Sequence, residues 1–477
     1  MKNVGCDKTV PAQLMGGISA NKPIVHLVTG PMMPGSHGGT RIGACTDCRN
    51  NWAKYRAGTV DIETISAIND ELAPTAGTCG VMGTASTMAC ILVALGLMPF
   101  KGASAPAVSS ARLRVAEETG KLAVGVFEKN IKPQDLLTRE SFLNAITVLQ
   151  AIGGSTNAVV HLMAVINRHP KVAGTITLKD FDEIGRQTPL LVDLKPSGDN
   201  YMTDFHNSGG MLALLHELKP LLHLDAMTAS GRTLGQEIEA APFRKVPRDG
   251  LFHCIQPFSK PLYPSSSLVV LHGNIAQRGA VMKASASKDR RLLKHKGPAV
   301  VFKNSADLAK RTDDPNLEVT ADSVLVLQNI GPRGHPGMPE AGLIPIPRKL
   351  AKEGVQDMLR LSDGRMSGTA GGTIVLHISP EAAVMDSVFG IVRDGDVISC
   401  DVEGRTLELE ISAEEVQRRI QARTKQMGQL RDEQSENGPH CFHENRQRGY
   451  RGLYVRNVNQ AHEGADFDFL TATGPRR

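Results

Sequence analysis

The stretch GCDKTVPAQLMGGISANKPIVHLVTGPMMPGSHGG, residues 5–39, decides the fold class. Thr9 followed by Pro11 has the make-up of a helix entrance: a hydroxyl that accepts from an unpaired amide, and a ring whose fixed φ suits a first turn. A short helix through Met15 is predicted. Pro23–Thr29 (PIVHLVT) then reads as a buried strand, and Gly30–Gly39 as a turn-rich loop. Loop, helix, strand and loop in this order make half of a doubly wound α/β unit, whose sites gather at the C-terminal ends of strands. Such a unit calls for a strand before Cys6, and only five residues are available to form it.

Outward from this stretch, residues 55–70 and 110–150 have helical periodicity, and Met88–Leu97 is apolar all round, as in a buried helix. Residues 1–250 are therefore predicted to form a helix-rich doubly wound α/β domain, incomplete at its start. The pattern then changes to short β-type runs: Ser267–Leu271, Ala280–Met282, Ala299–Phe302, Ser323–Leu327, Thr373–Ile378, Asp396–Cys400 and Thr406–Ile411. Residues 251–411 are predicted to be a β-rich, barrel-like domain. Ser412-Ala413-Glu414-Glu415 is a capping box that opens a helix to about Met427, so 412–477 reads as a C-terminal helix and arm. No internal repeat is evident.

The chain of 477 residues is 41% apolar and 22% charged, the balance of a soluble globular protein of two to four domains. Its longest apolar run, Met88–Phe100, falls short of the ~20 residues a bilayer needs, so no membrane span is expected. A net charge of +5, with 13 Phe, 5 Tyr and 1 Trp, gives nucleic acid no evident surface. The basic helix with Arg418, Arg419, Arg423 and Lys425 reads as a solvated face. No secretory signal precedes the 8 cysteines, which implies a cytoplasmic, reducing setting in which they are thiols or metal ligands.

Cys90, inside the apolar run, has the setting of a core thiol. Cys6, Cys45, Cys48 and Cys79 instead stand beside Gly, Asp or Thr. Cys6-Asp7-Lys8 puts a soft ligand, a hard ligand and an amine at a helix entrance, where the positive helix end favours thiolate. Cys79, within Thr75–Thr87 (TAGTCGVMGTAST), again precedes a helix, among glycines that allow close backbone approach. Cys45-Thr46-Asp47-Cys48 is a CxxC without the second pair that a zinc site needs, and His440-Cys441-x-His443 lies in a polar stretch. Asn329–Glu340 (NIGPRGHPGMPE) follows a strand, its glycines suited to an anion-binding nest and Glu340 to a metal. Leu361–Thr373 (LSDGRMSGTAGGT) holds Ser367 in a glycine-flanked loop, where a serine can act as nucleophile, base or anion ligand. The plain alternative for each is a tight loop.

The segments GCDKTVPA, GTCGVMGTASTM, IGGSTNAVVHL, LHGNIAQRGAVMKAS, NIGPRGHPGMPE and LSDGRMSGTAGGT, in this order, resemble the dihydroxy-acid dehydratase and 6-phosphogluconate dehydratase family. GTCGVMGTASTM and the near-terminal EGADFDFL are most similar to the sugar-acid (pentonate) branch. The resemblance implies a hydro-lyase that converts a 2,3-dihydroxy acid to a 2-keto acid. It also implies two cofactors: a [2Fe-2S] cluster as Lewis acid for the leaving hydroxyl, and Mg²⁺ to stabilise the enolate. Cys6 and Cys79 would hold the cluster, and Asp7, Glu340 and Lys8 as its carbamate would hold Mg²⁺. Ser367 would be the C2 base, and Thr369, by its spacing, would contact a substrate hydroxyl. The implied partners are a small sugar acid and further copies of the chain, as a dimer or tetramer.

The family pattern has a further N-terminal segment, which carries another cluster cysteine and another Mg²⁺ carboxylate. The expectation is a truncated dehydratase, with Cys45 or Cys48 as candidates for a replacement thiolate. The competing readings are a branched-chain biosynthetic dihydroxy-acid dehydratase, an inactive binding or oligomer-forming paralogue, and a CxxC thiol oxidoreductase.

Overall fold

The computed structural model describes residues 2–4, 7–242, 253–433 and 449–474, with backbone only for 2–4 and 427–433. Cys6, Cys441 and the flanking His440 and His443 lie outside the described residues. Two compact units result, one of Met1–Leu268 together with Ser367–Gly371, the other of Val269–Met366 and Gly372–Arg477.

The first unit begins with the strand that the sequence left little room for. Strand β1 (Lys2–Val4) pairs in parallel with β2 (His26–Val28), joined by helix α1 (Thr9–Ala20). Three residues suffice because a parallel ladder needs only a few backbone partners when a helix packs beside it. Helix α1 runs past Met15 and stops at Asn21, whose left-handed backbone (φ 45°) closes the last turn.

The doubly wound sheet expected here is not formed among the described residues. Among the described residues the parallel sheet of this unit has two strands, β1–β2, followed by the hairpin β3 (Gly35–His37) and β4 (Thr40–Ile42). Helices dominate the rest, among them α2 (Thr46–Ala57), α3 (Ile62–Glu71), α4 (Thr84–Ala94), and others at Ser110–Glu128, Arg139–Ala151 and Asn157–Asn167. Helix α4 packs on α1 and on the helices 139–151 and 157–167. Its Met88–Ala94 run is buried throughout, so it has no polar face to give to solvent. Runs of this length, rich in Ala, Leu and Met, bury as helices where a sheet would need flanking strands.

The second unit is built on one mixed sheet of order β12-β11-β7-β8-β9-β10-β6-β5. Its strands are β5 (Val269–Leu271), β6 (Gly279–Met282), β7 (Lys294–Phe302), β8 (Val324–Leu327), β9 (Arg360–Ser362), β10 (Ile374–Ser379), β11 (Val397–Asp401) and β12 (Thr406–Leu409). Every β-type run of the sequence becomes a strand of this sheet. A parallel bridge between His272 and Thr406 brings its two edges together, giving a nearly closed barrel.

Period-two alternation explains its core. Along β8, Val324 and Val326 join one cluster with Leu361, Val375 and Ile398, while Leu325 and Leu327 face another with Phe302, Leu308 and Ile344. Half of the predicted capping box forms: the Ser412 hydroxyl accepts from the Glu415 amide ahead of a helix at Ala413–Glu433, while the Glu415 carboxylate turns to Arg418 and Arg419. No helix among the described residues is long and apolar enough to cross a membrane.

Candidate active site

The first unit gathers chemistry at the loops before α2 and α4. Thr78 donates its amide to the Gly30 carbonyl (2.9 Å) and accepts from Met32 (2.8 Å), so the loop after β2 lies along the residue next to Cys79. The hairpin β3–β4 delivers Cys45 to the N-terminal end of α2. There Cys45 has φ 79° and ψ −67°, a γ-turn conformation that is strained for a residue with a Cβ. Such strain is of the order of 1–3 kcal/mol and persists only where the surroundings impose it.

The Sγ atoms of Cys45 and Cys79 stand 3.3 Å apart. Their hydrogen bond, burial, and the nearby negative groups of Cys45 and Asp7 all raise the Cys79 thiol's pKa well above its ordinary value. Asp7 pairs with Lys8 at 2.9 Å at the entrance to α1. Cys48, the second member of the CxxC, packs instead against Ile42, Ile68 and Leu72. Burial pushes Cys90 and Cys400 up to about 12, as befits core thiols.

The loop Ser367–Gly371 packs with this same unit, although the sequence reading set Ser367 within the β-rich segment. Ser367 Oγ lies 2.8 Å from Thr369 Oγ1, and the Thr369 carbonyl accepts from Thr46 Oγ1 at 2.8 Å. Two glycines permit the approach. A Cβ at Gly83, just before α4, would come 2.6 Å from Thr369 Cγ2, and one at Gly368 would come 2.4 Å from Ser155. Ser155 is tied in turn to α4, through Thr84 Oγ1 at 2.8 Å and its own amide to Thr87 Oγ1 at 3.0 Å.

In the first turn of α2, Asp47 accepts from Lys195 Nζ (2.7 Å), the Tyr201 hydroxyl (2.8 Å) and the Gly43 amide (2.8 Å). Burial and the Asp47 carboxylate raise the Tyr201 phenol's pKa well above its usual value. Sequence reading passed over Thr46, Asp47, Ser155, Lys195 and Tyr201 as functional candidates. Their only local signals were a carboxylate inside the CxxC and the IGGSTNA segment.

In the second unit the glycine loop after β8 does form a nest, and the anion it binds is the protein's own. Glu381 accepts from the amides of Arg333 (2.9 Å) and Gly334 (2.8 Å), and from Gln460 Nε2 (2.8 Å). Glu340 is half-buried, with Arg365 Nη1 at 4.0 Å. Asp363, in the LSDGRMSG segment, accepts from the amides of Asn329, Ile330 and Ala382 and is pushed up to about 7 by burial and the Glu381 charge. Lys283 is buried, its Nζ lacks a hydrogen-bond partner among the described residues, and burial pushes it down to about 7.

Among the described residues no three His, Cys, Asp or Glu side chains gather as a metal site. The donor chemistry nonetheless suits the two groups that the resemblance implies. Paired sulfurs at Cys45 and Cys79 fit a soft iron centre, and the Asp7 carboxylate fits a hard cation.

Comparison with known proteins agrees in kind. Residues 3–237 match the model of the dihydroxy-acid/6-phosphogluconate dehydratase N-terminal region, and residues 253–465 match that of its C-terminal region. The chain is 40% identical over 469 residues to L-arabinonate dehydratase of Rhizobium leguminosarum bv. trifolii, covering 98% of this chain and 76% of the relative. It is 39% identical over 469 residues to 6-deoxy-6-sulfo-D-gluconate dehydratase of Pseudomonas putida, covering 98% and 77%. Dihydroxy-acid dehydratase of Sulfurisphaera tokodaii is 38% identical over 419 residues, covering 87% of this chain and 72% of the relative. Two family models that between them span both units, and relatives matched along nearly the whole chain, make this protein a member of the dihydroxy-acid/6-phosphogluconate dehydratase family.

Proposed function

We propose that this chain dehydrates a sugar acid to a 2-keto-3-deoxy acid. The observation that carries this reading is the seating of the Ser367–Thr369 pair on the N-terminal end of α2, beside the Cys45–Cys79 sulfurs. A proton-accepting hydroxyl, a second hydroxyl to orient substrate and a soft-metal site then share one neighbourhood. The preference for a sugar acid rests on coverage, since the sugar-acid relatives match 98% of the chain and the dihydroxy-acid relative 87%.

In the reaction, Ser367 Oγ acts as the alkoxide and takes the proton from C2, becoming a hydroxyl. The electron pair of that C–H bond moves into the C2–C3 bond as the C3–O bond breaks. The C3 hydroxyl leaves and takes up that same proton from Ser367 to become water, which regenerates the alkoxide, and the enol tautomerises to the 2-keto acid. Thr369 Oγ1, 2.8 Å from Ser367 Oγ, holds the serine hydroxyl in place and offers a contact to a substrate hydroxyl. A [2Fe-2S] cluster on Cys79 and Cys6 would supply a Lewis acid for the leaving hydroxyl, and Mg²⁺ on Asp7 and the Lys8 carbamate would supply charge stabilisation for the enolate. Glu340 is assigned to the Mg²⁺ on the sequence resemblance alone. The same reading places a homo-oligomer, dimer or tetramer, in the cytoplasm.

The test is 2-keto-acid formation from a panel of pentonates and hexonates against 2,3-dihydroxyisovalerate, using anaerobically purified protein. Turnover of a sugar acid at least tenfold above dihydroxyisovalerate is expected. A reversed preference would move the chain to branched-chain synthesis, and a folded protein without turnover would favour an inactive paralogue.

A further inference from the structure

Cys45 and Cys79 stand 34 residues apart in sequence and meet at 3.3 Å in the fold. A backbone with φ 79° is one that glycine adopts freely and a side-chain-bearing residue resists, yet a cysteine stands at position 45. Its thiol is directed at Cys79, while the neighbouring Cys48 turns to the apolar cluster of Ile42, Ile68 and Leu72. Two thiolates on one tetrahedral metal, with metal–sulfur bonds of about 2.3 Å, stand roughly 3.8 Å apart. The observed separation is about half an ångström shorter than that.

We infer that Cys45 is a sulfur ligand of the site built on Cys79, so that both Sγ atoms bind the same iron and Cys48 takes no part. The inference rests on the reading of Cys79 as a cluster ligand. Each thiol gives up its proton on binding, so loading the pair releases two protons and changes no oxidation state. The site then draws a sulfur from the α2 entrance, which neither the family description nor the names of the relatives assign.

Iron and acid-labile sulfide per chain, the visible spectrum, and the electron paramagnetic resonance of the reduced protein test it, all after anaerobic purification. The parent chain is expected to hold about two iron and two sulfide. Cys45→Gly, which suits the backbone better than cysteine, should keep the parental fold by circular dichroism and lose at least half of the iron. Cys45→Ser should shift the sulfur-to-iron absorption to shorter wavelength, and Cys48→Ser should match the parent. If Cys79→Ser empties the site while Cys45→Gly and Cys45→Ser keep parental iron and spectra, the inference fails and the cluster reading stands. A parent chain without iron, or with Cys45 and Cys79 joined as a disulfide, overturns both.

Discussion

The Thr46 hydroxyl, on the first residue of α2, donates to the Thr369 carbonyl at 2.8 Å, a buried bond that spans 323 residues of sequence. It pins the Ser367–Gly371 loop to the helix that Cys45 caps. Thr46→Val should strand a buried carbonyl, cost roughly 1–3 kcal/mol and lower kcat, whereas Thr46→Ser should restore both. Urea unfolding and turnover of the two variants check this.

Removing the proposed base gives the sharpest test of chemistry. Ser367→Ala should lower kcat by about 10²–10⁴-fold, the usual contribution of a positioned proton acceptor. Its melting temperature should stay within a degree or two of the parent. An unchanged kcat would remove Ser367 from the mechanism.

Gly83 and Thr369 form a steric pair, the added Cβ falling 2.6 Å from the Thr369 methyl. Gly83→Ala should displace the loop and reduce activity. Thr369→Ser removes that methyl and keeps the hydroxyl, so the double variant should regain activity relative to Gly83→Ala. A double-mutant cycle with no coupling would show that the two do not meet.

Asp47 is the common acceptor for Lys195, Tyr201 and the Gly43 amide. Asp47→Ala leaves an ammonium with only 18% of its side chain exposed without its carboxylate. The expected loss is roughly 2–4 kcal/mol, larger than for an exposed ion pair, and Asp47→Asn should lose less. Denaturant melts of both variants measure the difference.

Lys283 sets a pH dependence. Burial lowers its amine from 10.5 to about 7. Between these values the unfolded chain binds a proton that the folded chain does not, so stability rises with pH from about 7 to 10.5. Below pH 7 the buried amine must be charged, and the penalty is complete. Lys283→Met should therefore flatten this slope and stabilise the protein by about 2–4 kcal/mol at pH 7. Urea melts at pH 7 and pH 9 of parent and variant measure it.

Much of the fold was legible in the residues. Val324–Leu327 announces a strand buried on both faces because all four residues are apolar and β-favouring. Met88–Ala94 announces a buried helix because no polar residue interrupts it. Strand β9 was not legible, since Arg360–Ser362 is short and begins with an arginine, whose charge is answered by Asp357 at 2.6 Å, a partner outside the strand. The doubly wound sheet was over-read, because a helix followed by a strand looks alike whether two strands pair or six.

By itself, the sequence determined most of the element types, the motif residues Cys79, Asp7, Glu340 and Ser367 as candidates, and the family they resemble, because periodicity and short motifs are properties of neighbouring residues. Only the tertiary structure decided that Cys45 rather than Cys48 meets Cys79, that Ser367 packs with the helical unit, and that Glu381 fills the glycine nest. Each of those outcomes depends on side chains from distant segments converging to within about 3 Å, a distance set by the packing of whole elements and by no local pattern.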